Sequence, residues 1–213
     1  MSNSHITPKN SAPVAKKITL AITGASGAQY GLRLLACLLE QGCEVALMIS
    51  RAAEVVINTE TEFVLPNDFA AQQAWLVEYF GHYGGKVILY SREDWFCPAA
   101  SGSSAPAQMV ICPASGGTLS SLAYGSSNNL IERAGDVALK ERRQLILVPR
   151  EAPYSQVHLE NMLKLTQMGA IIIPASPGFY QKPQNINDLI DFVVARILDQ
   201  LGLEQGLLAK WGE

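Results

Sequence analysis

The chain has 213 residues, of which 48% are hydrophobic and 16% are charged, which is ample for one globular domain with a substantial core. Its net charge of −3 gives no broad basic surface, so nucleic acid and anionic membranes are excluded as expected partners. No apolar run approaches the roughly 18 residues that cross a bilayer, and the opening MSNSHITPKNSAPVAKK lacks the apolar stretch of a signal peptide. We therefore expect a cytoplasmic protein.

The first residues and the cysteines bear on domain organisation and redox state. Residues 1–16 contain few apolar side chains and two prolines, so we expect a flexible and dispensable tail, followed by a single domain over 17–213. The four cysteines show neither CxxC spacing nor a nearby pair of histidines, which argues against disulfides and zinc. We expect reduced, mostly buried thiols at Cys37, Cys43, Cys97 and Cys112.

Short blocks rich in Val, Ile and Leu alternate with segments of helical period. The strand candidates, in chain order, are ITLAIT, EVALMIS, KVILY, QMVICPAS, QLILVPRE and AIIIPAS. Helices are predicted over 30–41, closed by Gly42, from a cap at Ser155 to Met168, and from Asn187 to a stop at Gly202. This alternation predicts an α/β fold, a Rossmann-like three-layer sandwich with a doubly wound, mostly parallel sheet.

Small and polar residues follow the predicted strands. The first strand is followed by GASG, the second by SRAAE, the fourth by PASGGT, the fifth by PRE and the sixth by PASPGFY. Ligands of doubly wound sheets collect beyond the carboxyl ends of the strands. The sequence therefore predicts a binding site at that edge.

The first of these loops contains Gly24, Ala25 and Ser26 and opens a helix, whose exposed N–H groups and dipole favour an anion. The glycines could instead serve only a tight turn from strand to helix. Their spacing is GxxGxxxG rather than GxGxxG, and Ser50 and Arg51 stand where an acidic residue would hold the ribose of NAD. The pattern favours a mononucleotide such as FMN over NAD, and Arg51 leaves NADP open.

A second small, polar turn follows the fourth predicted strand, at Ser115, Gly116, Gly117 and Thr118. Taken alone, it could be no more than a turn. Two glycine-rich loops on neighbouring strands, however, could hold one flat cofactor between them. The two loops together favour a flavin site.

Three longer segments carry a specific resemblance. They are TGASGAQYGLRLL, CPASGGTLSSLAYGSSNNLIERAGDVALKERRQLILVPRE and GAIIIPASPGFY. From Lys17 to about Leu203 the chain resembles the flavin prenyltransferases of ubiquinone biosynthesis, formerly labelled 3-octaprenyl-4-hydroxybenzoate carboxy-lyases, in a flavoprotein superfamily that includes cysteine decarboxylases. The resemblance implies that dimethylallyl monophosphate alkylates reduced FMN at N5 and C6 without a metal. The product, prenylated FMN, would serve a separate decarboxylase.

The resemblance also implies roles for individual residues. Positions at the flavin are matched by Gly24, Ala25, Ser26, Ser50, Ser115, Gly116, Gly117, Thr118 and Arg133. Positions around the prenyl phosphate are matched by Glu60, Lys140, Arg150, Glu151, Tyr180 and Arg196, with Ser26, Glu60 and Glu151 as the catalytic candidates. The PASGGT turn departs from the commoner family spelling, which has Met and Lys in its middle.

The chemistry of prenyl transfer agrees with these roles. Breaking the C–O bond to phosphate places charge on phosphate oxygens, which Lys140, Arg150 and Arg196 could hold, with Tyr180 as a hydroxyl donor. The sequence has no Asp-rich metal motif such as DDxxD. Closing the new ring releases a proton, for which Glu151 or the departing phosphate is a candidate acceptor.

Several of these residues also have ordinary structural explanations. The KERR run around Lys140 could be a solvated helix end. Arg196 could pair with Asp199 or Asp191, and Glu60 could be a surface carboxylate flanking a helix. His158 is expected to be structural or exposed.

Two rival functions and the assembly state remain to be considered. A decarboxylase of the same superfamily would need an early histidine and a PxMNxxMW-like segment, but no histidine occurs between His5 and His82. A non-catalytic FMN carrier would not need the cationic group. The resemblance further implies a homo-oligomer, most commonly a dodecamer, with sites at subunit junctions.

Overall fold

The computed structural model describes residues 15–209, so residues 1–14 of the predicted tail over 1–16 lie outside the described part of the chain. Six strands form one sheet, in the order β3-β2-β1-β4-β5-β6, and every neighbouring pair is parallel. The strands are β1 (Lys17–Ile22), β2 (Glu44–Ile49), β3 (Lys86–Tyr90), β4 (Gln108–Ala114), β5 (Gln144–Pro149) and β6 (Ile171–Ile172). The doubly wound sheet is confirmed, and it is wholly rather than mostly parallel.

Seven helices connect and cover the strands in the described residues. They are α1 (Ala28–Glu40), α2 (Arg51–Glu60), α3 (Phe69–Phe80), α4 (Gly116–Tyr124), α5 (Leu130–Lys140), α6 (Gln156–Gln167) and α7 (Ile186–Leu201). The predicted ends hold within two residues for three of them. Ser155 caps α6, and Gly42 and Gly202 follow α1 and α7 with left-handed φ angles of 72° and 65°, a conformation that glycine adopts without strain.

The helices form a layer on each face of the sheet because successive strand side chains point in opposite directions. In β1, Leu20 belongs to a core cluster with α1, α3 and α7, whereas Ala21 belongs to a second cluster with α4, α5 and α6. Both residues have no measurable exposure. Burial on both faces explains why the strands read as continuous apolar blocks, and it confirms the three-layer sandwich.

Strand β1 lies at the centre of the sheet. Leu20 is in register with Leu47 of β2 on one side and with Val110 of β4 on the other. The chain winds from β1 towards β3 first and then returns to wind from β4 towards β6. The order therefore reverses between β1 and β4, and such a switch point opens a crevice for ligands.

Strand β6 is much shorter than the predicted AIIIPAS block. Only Ile171 and Ile172 form regular strand structure, although the N–H groups of Ile173 and Ala175 still donate to β5 carbonyls, at 2.9 and 3.0 Å. Pro174 between them has no N–H to donate, and a proline at a sheet edge ends regular pairing. The edge position of β6 leaves this irregular segment free to extend beyond the sheet, next to the loops that follow β5.

The structure also describes the cysteines and the apolar character of the helices. All four cysteines are buried and free, so the prediction of reduced, buried thiols is confirmed. Across residues 15–209, no helix combines the length and the apolar character that crossing a membrane requires.

Candidate active site

The loops that follow β1 and β4 are tied together at the switch point by Thr23. Its hydroxyl donates to the carbonyl of Pro113 at 2.8 Å and accepts from the N–H of Ser115, also at 2.8 Å. Thr23 is 2% exposed, so these bonds are shielded from water. The Ser50 N–H donates to the carbonyl of Ile22 at 3.0 Å, which ties in the loop after β2. The three loops that open onto the crevice thus form one fixed surface.

Three helices begin at this surface, immediately after β1, β2 and β4. Ser50 caps α2 by accepting from the N–H of Ala53, and Ser115 caps α4 by accepting from the N–H of Thr118. The Ser115 and Thr118 hydroxyls also lie 3.0 Å apart. Unsatisfied N–H groups and the positive ends of three helix dipoles therefore face one region, which favours an anionic ligand.

Helix α1 is capped differently from α2 and α4. Its first flanking residue is Gly27, which has no side chain to accept a hydrogen bond. The carboxylate of Glu60, the last residue of α2, instead accepts from the N–H of Gly27 itself at 2.7 Å. A sequence-predicted site residue thus reaches the first glycine-rich loop from a distant part of the chain.

A cleft of about 550 Å³ lies beside this contact and brings together three of the predicted residues, Ser26, Glu60 and Arg150. The guanidinium of Arg150, at the end of β5, donates from Nε to the carbonyl of Ser26 at 3.0 Å. One cation, one carboxylate and one hydroxyl therefore face the same space. The full lining consists of Ser26, Gly27, Gln29, Tyr30, Glu60, Arg150, Ala175, Ile186 and Ile190.

Sequence reasoning missed five of these lining residues. Gln29 and Tyr30 lie in the first turn of α1, directly after the glycine-rich loop, so their nearness to that loop was a signal that could have found them. Ala175, Ile186 and Ile190 form an apolar wall. They come from the segment after β6 and from α7, and nothing in their local sequence pointed to the cleft.

Tyr30 adds a hydroxyl to the charged side of the cleft. Burial raises the pKa of its phenol, the nearby Cys112 thiol raises it further, and Arg150 opposes the shift. The phenol therefore stays protonated at neutral pH. A protonated hydroxyl beside Arg150 can donate a hydrogen bond to an anion in the cleft.

The two glycine-rich loops need glycine for different physical reasons. A Cβ on Gly24 would lie 2.3 Å from the Cβ of Ala52, so the loop after β1 packs too closely on α2 for a side chain. A Cβ on Gly117 would meet nothing within 4 Å, so this residue instead leaves its backbone open at the start of α4. An open backbone at a helix N-terminus is what a flat, phosphorylated cofactor such as FMN needs for close approach. The residues present fit a flavin.

His158 lies at the other side of the second loop. A Cβ on Gly116 would come within 2.7 Å of its Nε2, while its Nδ1 accepts from the N–H of Ser155 at 3.2 Å in the capping box of α6. The expectation that His158 is structural is confirmed by this cap.

Three other predicted residues lie outside the cleft lining. The carboxylate of Glu151 is exposed and accepts from the N–H of Ala152 at 3.1 Å. Arg133 donates to the carbonyl of Ala100 at 3.2 Å and pairs with Asp136 at 3.1 Å. Tyr180 is half exposed and its ring packs edge-on against Phe192, with centroids 5.4 Å apart. Within one chain, these side chains are near the carboxyl-edge loops or the helices beside them, without lining the cleft.

Lys140 and Arg196 are farther from the cleft along their helices. Lys140 ends α5, four residues before β5 begins, and its ammonium pairs with Glu141. Arg196 lies in the second half of α7 and pairs with Asp199 at 2.7 Å, the alternative that the sequence had left open. Because β5 spans roughly 20 Å, Lys140 cannot reach Arg150 at the opposite edge of the same sheet.

The fold and the site together define a class, a doubly wound α/β protein that binds a phosphorylated ligand at the switch point of its sheet. A family model described as Flavoprotein matches residues 6–198. The chain belongs to this Flavoprotein family.

Individual relatives show which members of the family the chain resembles. The flavin prenyltransferase UbiX of Pseudomonas aeruginosa is 61% identical over 198 residues, which is 93% of this chain and 95% of the relative. The flavin prenyltransferase UbiX of Methanocaldococcus jannaschii is 45% identical over 92% of this chain and 98% of its own.

Two solved structures are also similar. One is AnUbiX (PadA1) in complex with FMN and dimethylallyl pyrophosphate, with a TM-score of 0.82, 37% identity and coverage of 93% and 98% of the two chains. The other is a dodecameric FMN-dependent UbiX-like decarboxylase from Escherichia coli O157:H7, with a TM-score of 0.81, 36% identity and coverage of 92% and 100%.

Proposed function

We propose that this protein is a flavin prenyltransferase, which joins the dimethylallyl group of dimethylallyl monophosphate to N5 and C6 of reduced FMN. The observation that carries the proposal is the cleft in which Arg150, Ser26 and Glu60 meet at the first glycine-rich loop, which Thr23 ties to the second. A relative that bears the flavin prenyltransferase name is 61% identical over 93% of the chain, which supports the same reaction here.

The flavin is held, in this proposal, by the loops at the switch point. Ser50 and the turn from Ser115 to Thr118 provide hydroxyls and helix N-termini, and the open backbone of Gly117 allows close approach. The bound reduced flavin supplies the nucleophilic nitrogen of the reaction. The protein holds the flavin ring against the prenyl donor, because alignment of two reactants removes much of the entropic barrier.

The prenyl donor occupies the cleft. Arg150 and the hydroxyls of Ser26 and Tyr30 hold its phosphate, where charge grows as the C–O bond breaks. The wall of Ala175, Ile186 and Ile190 receives the dimethylallyl group, because an apolar group of that size prefers a surface without water. A polar end and an apolar end in one cleft match the two ends of an allylic phosphate.

The remaining cations join the site through assembly. Lys140 and Arg196 lie too far along their helices to reach Arg150 in their own chain, so we infer that a neighbouring subunit supplies them, together with Tyr180. The protein accordingly forms a homo-oligomer, and we propose a dodecamer like its relative from Escherichia coli. Three cationic side chains around one phosphate then take the place of a metal ion.

A cysteine decarboxylase is the rival that the family leaves open. Members of that branch, such as the peptidyl-cysteine decarboxylase EpiD, are only 18% identical to the chain, and that likeness extends to the fold alone. The segment after β5 reads PREAPYSQVHLENML, and its histidine caps α6 instead of facing the cleft lining. These differences favour the prenyltransferase.

The deciding experiment is incubation of the protein with reduced FMN and a dimethylallyl donor, followed by mass spectrometry of the flavin. We expect a flavin heavier by one isopentenyl unit, and the monophosphate and diphosphate donors should be compared because a similar structure contains the diphosphate. No such product with either donor would reject the proposal. The prenylated FMN would be passed to a decarboxylase that needs it as a cofactor. We propose the cytoplasm as the compartment, because four free thiols agree with a reducing environment.

A further inference from the structure

Glu60 is held at two points, and both partners belong to the start of α1. Its carboxylate accepts from the N–H of Gly27 at 2.7 Å, and its backbone carbonyl accepts from the side-chain amide of Gln29, also at 2.7 Å. The two residues lie 33 and 31 positions from Glu60 in the chain. The end of α2 is therefore fixed to the beginning of α1 by side chains of both helices.

The bond from Gln29 satisfies a group that the helix itself leaves open. Glu60 is the last residue of α2, and the final carbonyls of a helix have no partner within it. Thr61, which follows, is already extended, so the chain turns away at this point. Without the Gln29 amide, the end of α2 would have one hydrogen bond fewer at the place where it must present a carboxylate.

We propose that Gln29 is a positioning residue that fixes the backbone of Glu60 and thereby holds its carboxylate at the Gly27 amide, in the cleft beside Arg150. This inference rests on the proposed function, in which that cleft receives the prenyl donor. The Gly27 amide is at the positive end of α1, where a phosphate oxygen also binds well. With its backbone fixed, the Glu60 carboxylate can yield the amide to phosphate and stay within reach of the reacting atoms.

The first test is a double-mutant cycle of prenyl transfer with Gln29→Met and Glu60→Gln. Methionine keeps the length of the side chain but cannot donate. We expect Gln29→Met to lower kcat roughly 2- to 10-fold, the loss of one hydrogen bond, with the Kd for FMN unchanged. In the Glu60→Gln background the same change should cost no further activity, because a positioning residue acts only through its target. Equal losses in both backgrounds would overturn the inference.

Two companion variants separate positioning from general stability. Gln29→Lys retains an N–H donor of sufficient reach and should restore most of the lost kcat. Thr59→Val removes a bond from the Thr59 hydroxyl to the Val55 carbonyl, one residue from Glu60 but on the exposed side of α2. It should leave kcat unchanged, and a loss equal to that of Gln29→Met would mean that any loosening of α2 has the same effect, which contradicts a specific role.

Hydrogen exchange at the Gly27 amide gives a readout that does not need activity. Its N–H is protected by the Glu60 carboxylate, so exchange measured by fragmentation mass spectrometry should quicken in Glu60→Ala, which has no acceptor, and by a similar factor in Gln29→Met. If the wild-type protein makes no prenylated flavin, the proposed function fails while this measurement still decides the inference. Unchanged exchange at Gly27 in Gln29→Met would overturn it.

Discussion

Arg150 joins the end of β5 to the glycine-rich loop after β1, because its Nε donates to the Ser26 carbonyl while the rest of the guanidinium faces the cleft. Lysine keeps the charge but has no planar group that can make both contacts. We predict that Arg150→Lys raises KM for the prenyl donor about tenfold and leaves the Kd for FMN within experimental error, as measured by steady-state kinetics and calorimetry.

The matched control for this change is Arg92→Lys. Arg92 pairs with Glu54 at 3.3 Å and lines a different cavity, so the substitution should alter neither constant. If both variants raise KM equally, the effect would belong to any exchange of arginine for lysine on this protein. That result would contradict a specific role of Arg150 in the cleft.

Glu151, which follows Arg150, is the candidate acceptor of the proton released when the new ring closes. Glutamine keeps its size but cannot accept the proton, so Glu151→Gln should bind FMN normally and lose about 10²–10⁴-fold in rate. Single-turnover measurement of the flavin product checks this. Glu160→Gln, on the exposed side of α6, is the control. Near wild-type rates for Glu151→Gln would leave the departing phosphate as the proton acceptor.

Burial raises the pKa of all four thiols, and that of Cys37 moves from its ordinary value of 9.0 to about 11. A native pKa above the unfolded value means that the unfolded state loses its proton first. The contribution to stability is therefore complete below about pH 9 and declines as pH rises towards 11. We predict a falling urea midpoint over this interval, less steep in Cys37→Ala, and negligible labelling of the native thiols at pH 8. Rapid labelling there would contradict the burial.

At the scale of secondary-structure elements, the second residue of α4, Gly117, has no packing contact that would require a glycine and leaves its backbone open. Gly117→Ala adds a Cβ where nothing lies within 4 Å, and alanine favours the helix, so the melting temperature should stay equal or rise. The Cβ would project at the proposed flavin, and we predict at least a tenfold rise in the Kd for FMN, roughly the cost of one added group in a close-packed contact.

Gly84→Ala is the control for this change, since it also adds a Cβ with nothing within 4 Å, but far from the start of α4, in the turn before β3. It should leave FMN affinity unchanged. Unaltered affinity in Gly117→Ala as well would show that the flavin does not approach this backbone.

The elements differ in how far their sequences determine them. Strands buried on both faces are predictable because the apolar block is unbroken, and capped helices such as α6 are predictable because the cap is local. The end of β6 is set by Pro174 and by its position at the sheet edge, which depends on the strand order. Local patterns cannot supply that order.

The site was also predictable only where its residues belong to local sequence motifs. The glycine-rich loops are recognisable from their composition and from their positions after predicted strands. The resemblance pointed to Glu60 and Arg150, and both line the cleft. The contacts of Gln29 and the apolar wall from α7 join residues more than 30 positions apart, so they follow from packing alone. The separation of Lys140 from Arg150 was predictable, because the predicted strand QLILVPRE begins after Lys140 and reaches Arg150 at its other end.

At the scale of the whole molecule, this separation makes the proposed site depend on assembly. If Lys140 acts in the cleft of a neighbouring subunit, two inactive variants should complement each other when they share an oligomer. Lys140→Ala removes the donated cation, and Arg150→Ala removes the cation of the receiving cleft. In assemblies co-expressed at equal amounts, about a quarter of the sites would combine an intact cleft with an intact lysine.

We therefore predict that neither variant alone is active, that the mixed oligomer recovers about a quarter of wild-type turnover, and that light scattering gives the same particle mass for all three. Mixing the purified homo-oligomers without exchange of subunits is the control and should recover nothing. If Lys140 acted within its own chain, every site in the mixed oligomer would contain one defect, because the lysine and the cleft would always come from the same polypeptide. An inactive mixed oligomer of full mass would thus exclude shared sites, and a stable monomer that turns over flavin would exclude them more directly.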